Sequence, residues 1–400
     1  MNSMFNMKNT ACDLCGTKNL ESIYTTKFCI DNNKNLWQDV FFIICKKCGL
    51  IFENPRLSPQ SLKSYYTEGS IGSKIYGSTN VTHGTESTGD LARKEQFNFI
   101  HSYLPKQGRM LDVGARDNAF IKYWDDLNYK IYALEPGPAF KTESTNVTLI
   151  NEFYEDYTPN KLFDVICIRH VLEHTFSPFF FLDKAWNDLA DNGLIFIEVP
   201  NVYIPSVTIV DFFIYYHTFN FSPVTLKSYL AKTGFKTLDF SANLPYCGMR
   251  IIAKKTPKNS QFLIKNDYKM AKKKVIEYKN RRKLLLDTIN KKIKNVEGKK
   301  AAIFGAGEHS AQLIKSANID LSKIDYFLDN DPNKQGEKFF GLPIHSPKII
   351  QKGLLELILI SSYDYQEEIS DIIRKYDSTV EVVKFYEKVI AYNTYQDTTS

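Results

Sequence analysis

The chain has 400 residues, of which 43% are hydrophobic and 24% are charged, and its formal net charge is +6. A chain of this length is expected to form two or three domains with sizeable hydrophobic cores. No apolar run is long enough for a membrane span, and the first residues lack the basic-then-apolar pattern of a secretory signal, so we expect a cytoplasmic protein. No basic stripe with interleaved aromatic residues accompanies the modest charge, so no nucleic acid is expected as partner.

The N-terminal segment carries two pairs of cysteines, each with two residues between its members and a glycine directly after it. This spacing is typical of metal binding in a reducing compartment rather than of disulfides. Four thiolates can close a tetrahedral site with no open position for a substrate, so a structural Zn²⁺ is predicted. The alternative is that the pairs are buried, unligated cysteines. The predicted ligands are Cys12, Cys15, Cys45 and Cys48.

Residues 109–136 contain the pattern that opens a nucleotide-binding α/β domain. A short apolar run ends in Asp112, and a turn with Gly114 follows. Apolar residues at helical spacing then predict a helix from Phe120 to Leu127. A second apolar run ends in Glu135. An acid at this position usually binds ribose hydroxyls, so an adenosine-type ligand is expected.

The turn after the first strand does not suit a dinucleotide. A pyrophosphate needs the G-x-G-x-x-G pattern, whereas Arg116 and Asn118 stand where small residues would be required. The carboxylate of Asp112 would repel phosphates but could accept a hydrogen bond from an ammonium group. This combination resembles motif I of the class I S-adenosylmethionine-dependent methyltransferases.

The resemblance extends to residues 161–174, 192–201 and 217–235, which look like the fourth strand and its loop, the fifth strand and a helix entry of that fold. With the cysteine-rich N-terminus and the Gly-Ala-Gly segment at 305–307, the layout is similar to the sugar C-methyltransferases and their relatives in surface-glycan clusters. The resemblance implies S-adenosylmethionine as cofactor. It implies a sugar substrate, either nucleotide-linked or a precursor in polysaccharide biosynthesis. The cofactor-binding residues it implies are Asp112, Gly114, Ala115, Asp117, Glu135, Pro136 and His170.

The same resemblance implies an acceptor site. His174 matches the active-site histidine of the family and would act as general base, because a neutral imidazole titrates close to working pH. His217, the second candidate base, is the second histidine of a His-Glu-His triplet in which Tyr216 replaces the Glu. Tyr216 is a further catalytic candidate, through its phenol. That Glu helps to enolise a ketosugar, so its loss puts C-methylation in doubt, whereas O-methylation needs only a hydroxyl, a base and a positioned donor. The substrate-binding residues implied are Tyr76, His83 and Arg250, the last for a diphosphate.

The Lys-rich residues 256–298 predict one long helix between domains. Residues 299–400 repeat the strand–turn–helix pattern with Gly305 and Gly307, but Ser310 replaces the third glycine of a dinucleotide turn. The resemblance implies that this domain covers the active site and helps to bind the substrate. One alternative is an NAD(P)-dependent sugar oxidoreductase that works through this unit. Another is a binding or scaffold protein that has lost its chemistry.

The sequence therefore predicts an α/β protein in four parts. A small zinc-ribbon module with a substrate-side loop spans residues 1–90, and a doubly wound, Rossmann-like methyltransferase domain spans 91–255. A helical linker at 256–298 leads to a C-terminal Rossmann-like α/β domain at 299–400. The expected activity is methyl transfer from S-adenosylmethionine to a sugar. The sequence leaves open which sugar and which acceptor atom, O or C, are used, and also the oligomeric state.

Overall fold

The structure is a computed structural model, and it describes residues 6–31, 34–67, 88–116, 119–137, 146–242, 244, 247–258, 262–317, 319–363 and 365–386. Of the predicted site residues, Tyr76, His83 and Asp117 lie outside the described residues. Among the helices that the described residues form, none combines the length and the apolar character needed to cross a bilayer.

The N-terminal module is a set of antiparallel strands built around one long hairpin. The hairpin pairs Leu20 with Cys45 at its base and Asp31 with Leu36 at its tip, so the two cysteine pairs meet at its base. The elements are β1 (Met7–Lys8), β2 (Leu20–Asp31), β3 (Leu36–Cys45), β4 (Ile51–Glu53), β5 (Arg56–Leu57) and helix α1 (Pro59–Thr67).

The central domain contains a seven-stranded sheet. Its elements are α2 (Thr88–His101), β6 (Gln107–Val113), β7 (Asn128–Leu134), β8 (Val147–Ile150), β9 (Phe163–Arg169), α3 (Pro178–Asp188), β10 (Leu189–Pro200), β11 (Phe219–Asn220), α4 (Pro223–Lys232), β12 (Phe235–Ser241) and β13 (Gly248–Lys255). The strand order is β12-β13-β10-β9-β6-β7-β8, in which β13 alone is antiparallel to β10 and β12. The order reverses beside β6, and open α/β sheets bind ligands outside the carboxyl ends of the strands at such a point.

The N-terminal module and the central domain are not separate in space. β11 pairs with β4, so the small sheet contains a strand from beyond residue 200. The carboxylate of Asp13, which lies between the first two cysteines, accepts hydrogen bonds from the backbone N–H of Phe179 at 3.0 Å and the hydroxyl of Tyr229 at 2.9 Å. The predicted boundary at residue 90 therefore divides the sequence but not the packed structure.

The C-terminal domain is a second sheet with the order β16-β17-β15-β14-β18-β19, parallel except for β16. Its elements are β14 (Ala301–Phe304), α6 (Glu308–Ser316), β15 (Tyr326–Leu328), β16 (Lys338–Phe339), β17 (Leu342–His345), β18 (Leu357–Ile360), α7 (Gln366–Tyr376) and β19 (Glu381–Lys384), preceded by helix α5 (Tyr268–Ile293). Helix α5 is shorter than the helix predicted over 256–298. It also buries Ala271, Val275, Tyr278 and Ile289, so it packs against its neighbours instead of only bridging domains.

The helix predicted from Phe120 to Leu127 is reduced to a short 3₁₀ turn, Ile121–Trp124. Phe120, Ile121 and Trp124 are buried, and the ring of Trp124 meets that of Tyr129 edge-on with centroids 5.2 Å apart. The apolar spacing thus reflects burial in the core.

Candidate active site

A cleft of about 750 Å³ opens at the carboxyl ends of β6, β7 and β9. Gly114, Glu135 and Pro136 line one part of it, and His170 and His174 line another. Five of the predicted site residues, drawn from three separate segments of sequence, therefore meet at one cavity. Its position beside β6 is the one expected for a ligand site in a doubly wound sheet.

Gly114 has to be a glycine for two independent reasons. Its φ of +70° lies in the left-handed region, and a Cβ there would sit 2.4 Å from Cγ2 of Val171. The backbone N–H groups of Gly114 and Ala115 both donate to the carbonyl of Leu134, at 2.8 and 3.1 Å. The turn is therefore closed onto the end of β7 and brings its backbone to the wall of the cleft.

Glu135 is held in a fixed orientation by backbone groups. One carboxylate oxygen accepts from the N–H of Arg116 at 3.0 Å, and the other accepts from the N–H of Gly137 at 3.0 Å. A carboxylate oxygen can accept more than one hydrogen bond. The arrangement leaves acceptor capacity on Glu135 that suits a pair of vicinal hydroxyls.

Asp112 does not line the cleft. Its buried carboxylate forms an ion pair with Arg169. Nη2 of Arg169 lies 2.8 Å from Oδ2 and 3.1 Å from Oδ1 of Asp112. The Arg169 guanidinium lies over the ring of Phe120, 4.0 Å from its centroid. Sequence reasoning missed Arg169. Direct contact between Asp112 and a cofactor stays a prediction, and Arg169 competes for the same carboxylate.

A buried polar network continues from Arg169 across the sheet. Arg169 donates to Gln96 at 3.2 Å, Gln96 donates to Glu198 at 2.5 Å, and Arg250 donates to the second oxygen of Glu198 at 2.7 Å. Only 4% of Arg250 is exposed. The predicted binding of a substrate diphosphate by Arg250 does not fit this placement, because its guanidinium is buried against Glu198.

His170 belongs to the same network and also reaches the cleft. Its φ is +52°, and its ring nitrogens lie 3.1 Å from Glu198 Oε1 and 3.3 Å from Glu173 Oε1. Burial lowers the pKa of His170, but the contacts with Glu173 and Glu198 outweigh it and raise that pKa to about 9. His170 is therefore an imidazolium at neutral pH, beside two acids.

His174 is the centre of the predicted acceptor side. It ends a 3₁₀ turn, Leu172–His174. Its Nδ1 lies 2.6 Å from the carbonyl oxygen of Tyr216. A carbonyl can only accept, so Nδ1 carries the proton and Nε2 of the neutral ring has a free lone pair. The rings of Tyr216 and His217 lie 5.9 and 4.9 Å from that of His174.

The C-terminal domain contributes an acid to this region. The phenol of Tyr216 donates to Oε2 of Glu308 at 3.3 Å, and Glu308 is the first residue of α6. Burial raises the pKa of Glu308 to about 7, partly offset by the hydrogen bond from Tyr216. Sequence reasoning missed this residue. Its position at the start of a helix after a Gly-Ala-Gly turn was the available signal.

The four predicted metal ligands come together at the base of the N-terminal hairpin. Sγ of Cys12 lies 3.5 Å from Sγ of Cys48, and Sγ of Cys15 lies 3.4 Å from Sγ of Cys45. Zinc–sulfur bonds of about 2.3 Å in a tetrahedron require sulfur–sulfur distances of roughly 3.8 Å. The observed spacing is close to that requirement, so the four thiols fit a zinc ion.

Residues 79–239 match the family model described as "Methyltransferase domain". The central domain is therefore similar to methyltransferase domains. Residues 297–382 match a second model, described as "C2185-like, N-terminal". No curated protein matches the chain.

Solved structures resemble the methyltransferase domain in fold. One is a putative S-adenosylmethionine-dependent methyltransferase from Listeria monocytogenes, with 15% identity, 41% of this chain and 99% of that chain covered, and a TM-score of 0.35. Another is the 1,6-didemethyltoxoflavin-N1-methyltransferase of Burkholderia thailandensis with bound S-adenosylhomocysteine, with 14% identity, 57% and 99% covered, and a TM-score of 0.41. At this level the likeness concerns the fold and does not identify a substrate.

Proposed function

We propose that this protein transfers a methyl group from S-adenosylmethionine to a sugar, either nucleotide-linked or part of a surface-glycan precursor. The observation that carries the proposal is the cleft itself. A carboxylate fixed by two backbone N–H groups, Glu135, lines it together with a histidine of defined tautomer, His174. One group suits the ribose of the donor and the other suits an acceptor hydroxyl.

On the donor side, the chain offers a closed turn and an oriented acid. Gly114 allows the backbone to approach the ligand, Glu135 would accept the ribose hydroxyls, and Leu134 and Pro136 offer apolar surface beside them. S-adenosylmethionine would supply an electrophilic methyl group on a sulfonium. The chain's contribution is to bind and orient it, and positioning alone can supply several orders of magnitude in rate.

On the acceptor side, His174 is the proposed general base. Its Nε2 lone pair could take the proton of a hydroxyl, and the Tyr216 carbonyl on Nδ1 would stabilise the imidazolium that forms. Tyr216 and His217 pack against His174 and would shape the acceptor pocket. Tyr216 in place of an acid favours transfer to oxygen over transfer to carbon.

The C-terminal unit gives no support to a nicotinamide cofactor. Asp329, the acid after β15, accepts from the backbone N–H of Ala306 at 2.9 Å and lies 3.2 Å from Nζ of Lys334. The hydroxyl of Ser310 donates to the carbonyl of Gly305 and lies 2.7 Å from the hydroxyl of Ser361. The acid that would bind ribose in a dinucleotide site is thus paired with a cation, the ammonium of Lys334.

Calorimetry of the full chain with S-adenosylhomocysteine tests the donor site. We expect Glu135→Gln to weaken binding roughly ten- to a hundredfold, as expected for hydrogen bonds to a charged group. The matched control, Glu152→Gln, changes an exposed acid beyond β8 and should bind normally. Labelled methyl transfer to a panel of nucleoside-diphosphate sugars tests the acceptor class. If the wild-type chain binds no S-adenosylhomocysteine, the proposal fails.

A further inference from the structure

The region behind His174 contains buried polar atoms that lack hydrogen-bond partners. Within the described part of the chain, no hydrogen bond reaches either oxygen of Glu173, Nδ1 of His217 or the hydroxyl of Tyr66. Glu173 is only 1% exposed. Its Oε1 has ion-pair contacts with His170 at 3.3 Å and with Nε2 of His174 at 3.8 Å. Buried polar atoms left without partners in a folded protein call for a missing water, ion or ligand.

Two of these side chains, Glu173 and His217, form a candidate metal site together with the neighbouring His174. Glu173, His174 and His217 each offer one ligand atom, and these atoms all lie within 4.8 Å of one another. Two imidazole nitrogens and one carboxylate are a donor set that binds first-row divalent ions while leaving coordination positions open. The set does not suit Mg²⁺ or Ca²⁺, which prefer oxygen ligands alone.

The surroundings of His174 follow the pattern of a metal ligand. Metal-binding histidines commonly donate their second ring N–H to a backbone carbonyl or carboxylate, which fixes the ring and the tautomer. Here the carbonyl of Tyr216 accepts from Nδ1 at 2.6 Å and leaves Nε2 as the ligand atom on the side of Glu173. The orientation of the ring is therefore fixed by the backbone before any ion binds.

We propose that Glu173, His174 and His217 bind a divalent transition-metal ion such as Zn²⁺, Mn²⁺ or Co²⁺. His174 lines the cleft together with Tyr66 and Thr175, so the ion would lie next to the wall of the cleft. Binding of the ion is independent of the proposed function, but the role of the ion in the reaction rests on that function. The ion would hold the oxygen of the acceptor hydroxyl, whose proton would pass to water in the cleft. His174 would then be a metal ligand, and its role as general base would apply only to the metal-free protein.

Equilibrium dialysis of the full chain against Co²⁺, with metal analysis and absorption spectra, tests the site. We expect two ions per chain with different spectra, because thiolate ligands give intense sulfur-to-metal bands in the near ultraviolet and a Glu/His₂ site does not. Cys48→Ser should remove the ion with the thiolate bands. His217→Ala and Glu173→Gln should each weaken the binding of the second ion, the one without thiolate bands, by roughly 100-fold or more. Even the loss of a residue that only hydrogen-bonds to a metal ligand lowers metal affinity roughly 10- to 100-fold.

His309→Ala is the matched control. Nδ1 of His309 is also buried without a hydrogen-bond partner, but His309 is not part of the ligand cluster, so this variant should keep both ions. A wild-type chain that binds only the ion with thiolate bands would overturn the inference without reference to any variant. Retention of the second ion by a folded His217→Ala chain would overturn it as well. If the chain binds S-adenosylhomocysteine but no second ion, only the metal site is refuted. If it binds a second ion but no S-adenosylhomocysteine, only the methyl-transfer proposal is refuted.

Discussion

Replacing Glu308 by glutamine removes a titratable group from a buried position and keeps both its size and an acceptor for the Tyr216 phenol. Burial raises the pKa of Glu308 from 4.5 to about 7. Between these two values the folded chain holds a proton that the unfolded chain releases. The stability that Glu308 contributes is therefore fully present below about pH 4.5 and is lost as the pH rises through 7.

The size of the effect follows from the shift. Each unit of pKa corresponds to about 1.4 kcal/mol, so the whole shift sets a ceiling of about 3 kcal/mol. Glu308 is only partly buried by accessible surface, and a discount for solvent screening gives an expected effect of about 2 kcal/mol. Wild type should therefore lose about 2 kcal/mol relative to Glu308→Gln between pH 4.5 and pH 8.

Thermal unfolding of both proteins at several pH values in this range measures the difference. Other groups titrate over the same interval, but they do so in both proteins and cancel. Glu337→Gln, which changes an exposed acid of the same domain, should follow wild type at every pH. If the curves of wild type and Glu308→Gln stay parallel from pH 4.5 to pH 8, the buried, proton-holding Glu308 inferred from the structure does not exist.

Three further substitutions test other parts of the molecule. Gly114→Ala should abolish S-adenosylhomocysteine binding in calorimetry, because the new Cβ would lie 2.4 Å from Val171 and φ is +70°; normal affinity would contradict the closed turn. Asp112→Ala should destabilise the chain by about 3–5 kcal/mol in urea unfolding, since it leaves the buried Arg169 charge without its partner; an unchanged midpoint would show that the pair is not buried. Cys48→Ser should release a zinc ion measurable by mass spectrometry and lower the melting temperature; full zinc content would remove Cys48 from the ligand set.

Local spacing in the sequence was sufficient to predict several of the residues that the structure brings together. The two cysteine pairs predict the four-thiol cluster because each pair needs only a tight turn, and both turns lie at the base of one hairpin. Gly114 and Glu135 were identified because each directly follows an apolar run, and the carboxyl ends of parallel strands meet at one edge of a sheet. Such features depend on neighbours a few residues away, so they can be read without knowing the fold.

Strand register decided the polar network, and the sequence alone could not supply it. β6 pairs with β9 so that Asp112 lies opposite Cys167, which puts Arg169 two residues further along and on the same face. β10 aligns Glu198 with Arg169 on one side and with Arg250 on the other. Register is a non-local property, so these four charged residues gave no sign in the sequence that they would share one buried row.

Tertiary packing, both within the central domain and between domains, decided the rest. Glu308 stands 92 residues from Tyr216 in sequence, and the Glu173–His174–His217 cluster joins a loop after β9 to a segment before β11. Propensity and periodicity determine which segments become strands and helices. Which ionisable groups meet in the interior depends on the tertiary fold of the whole chain. The surfaces that enclose such groups come from several segments, so no single segment predicts them.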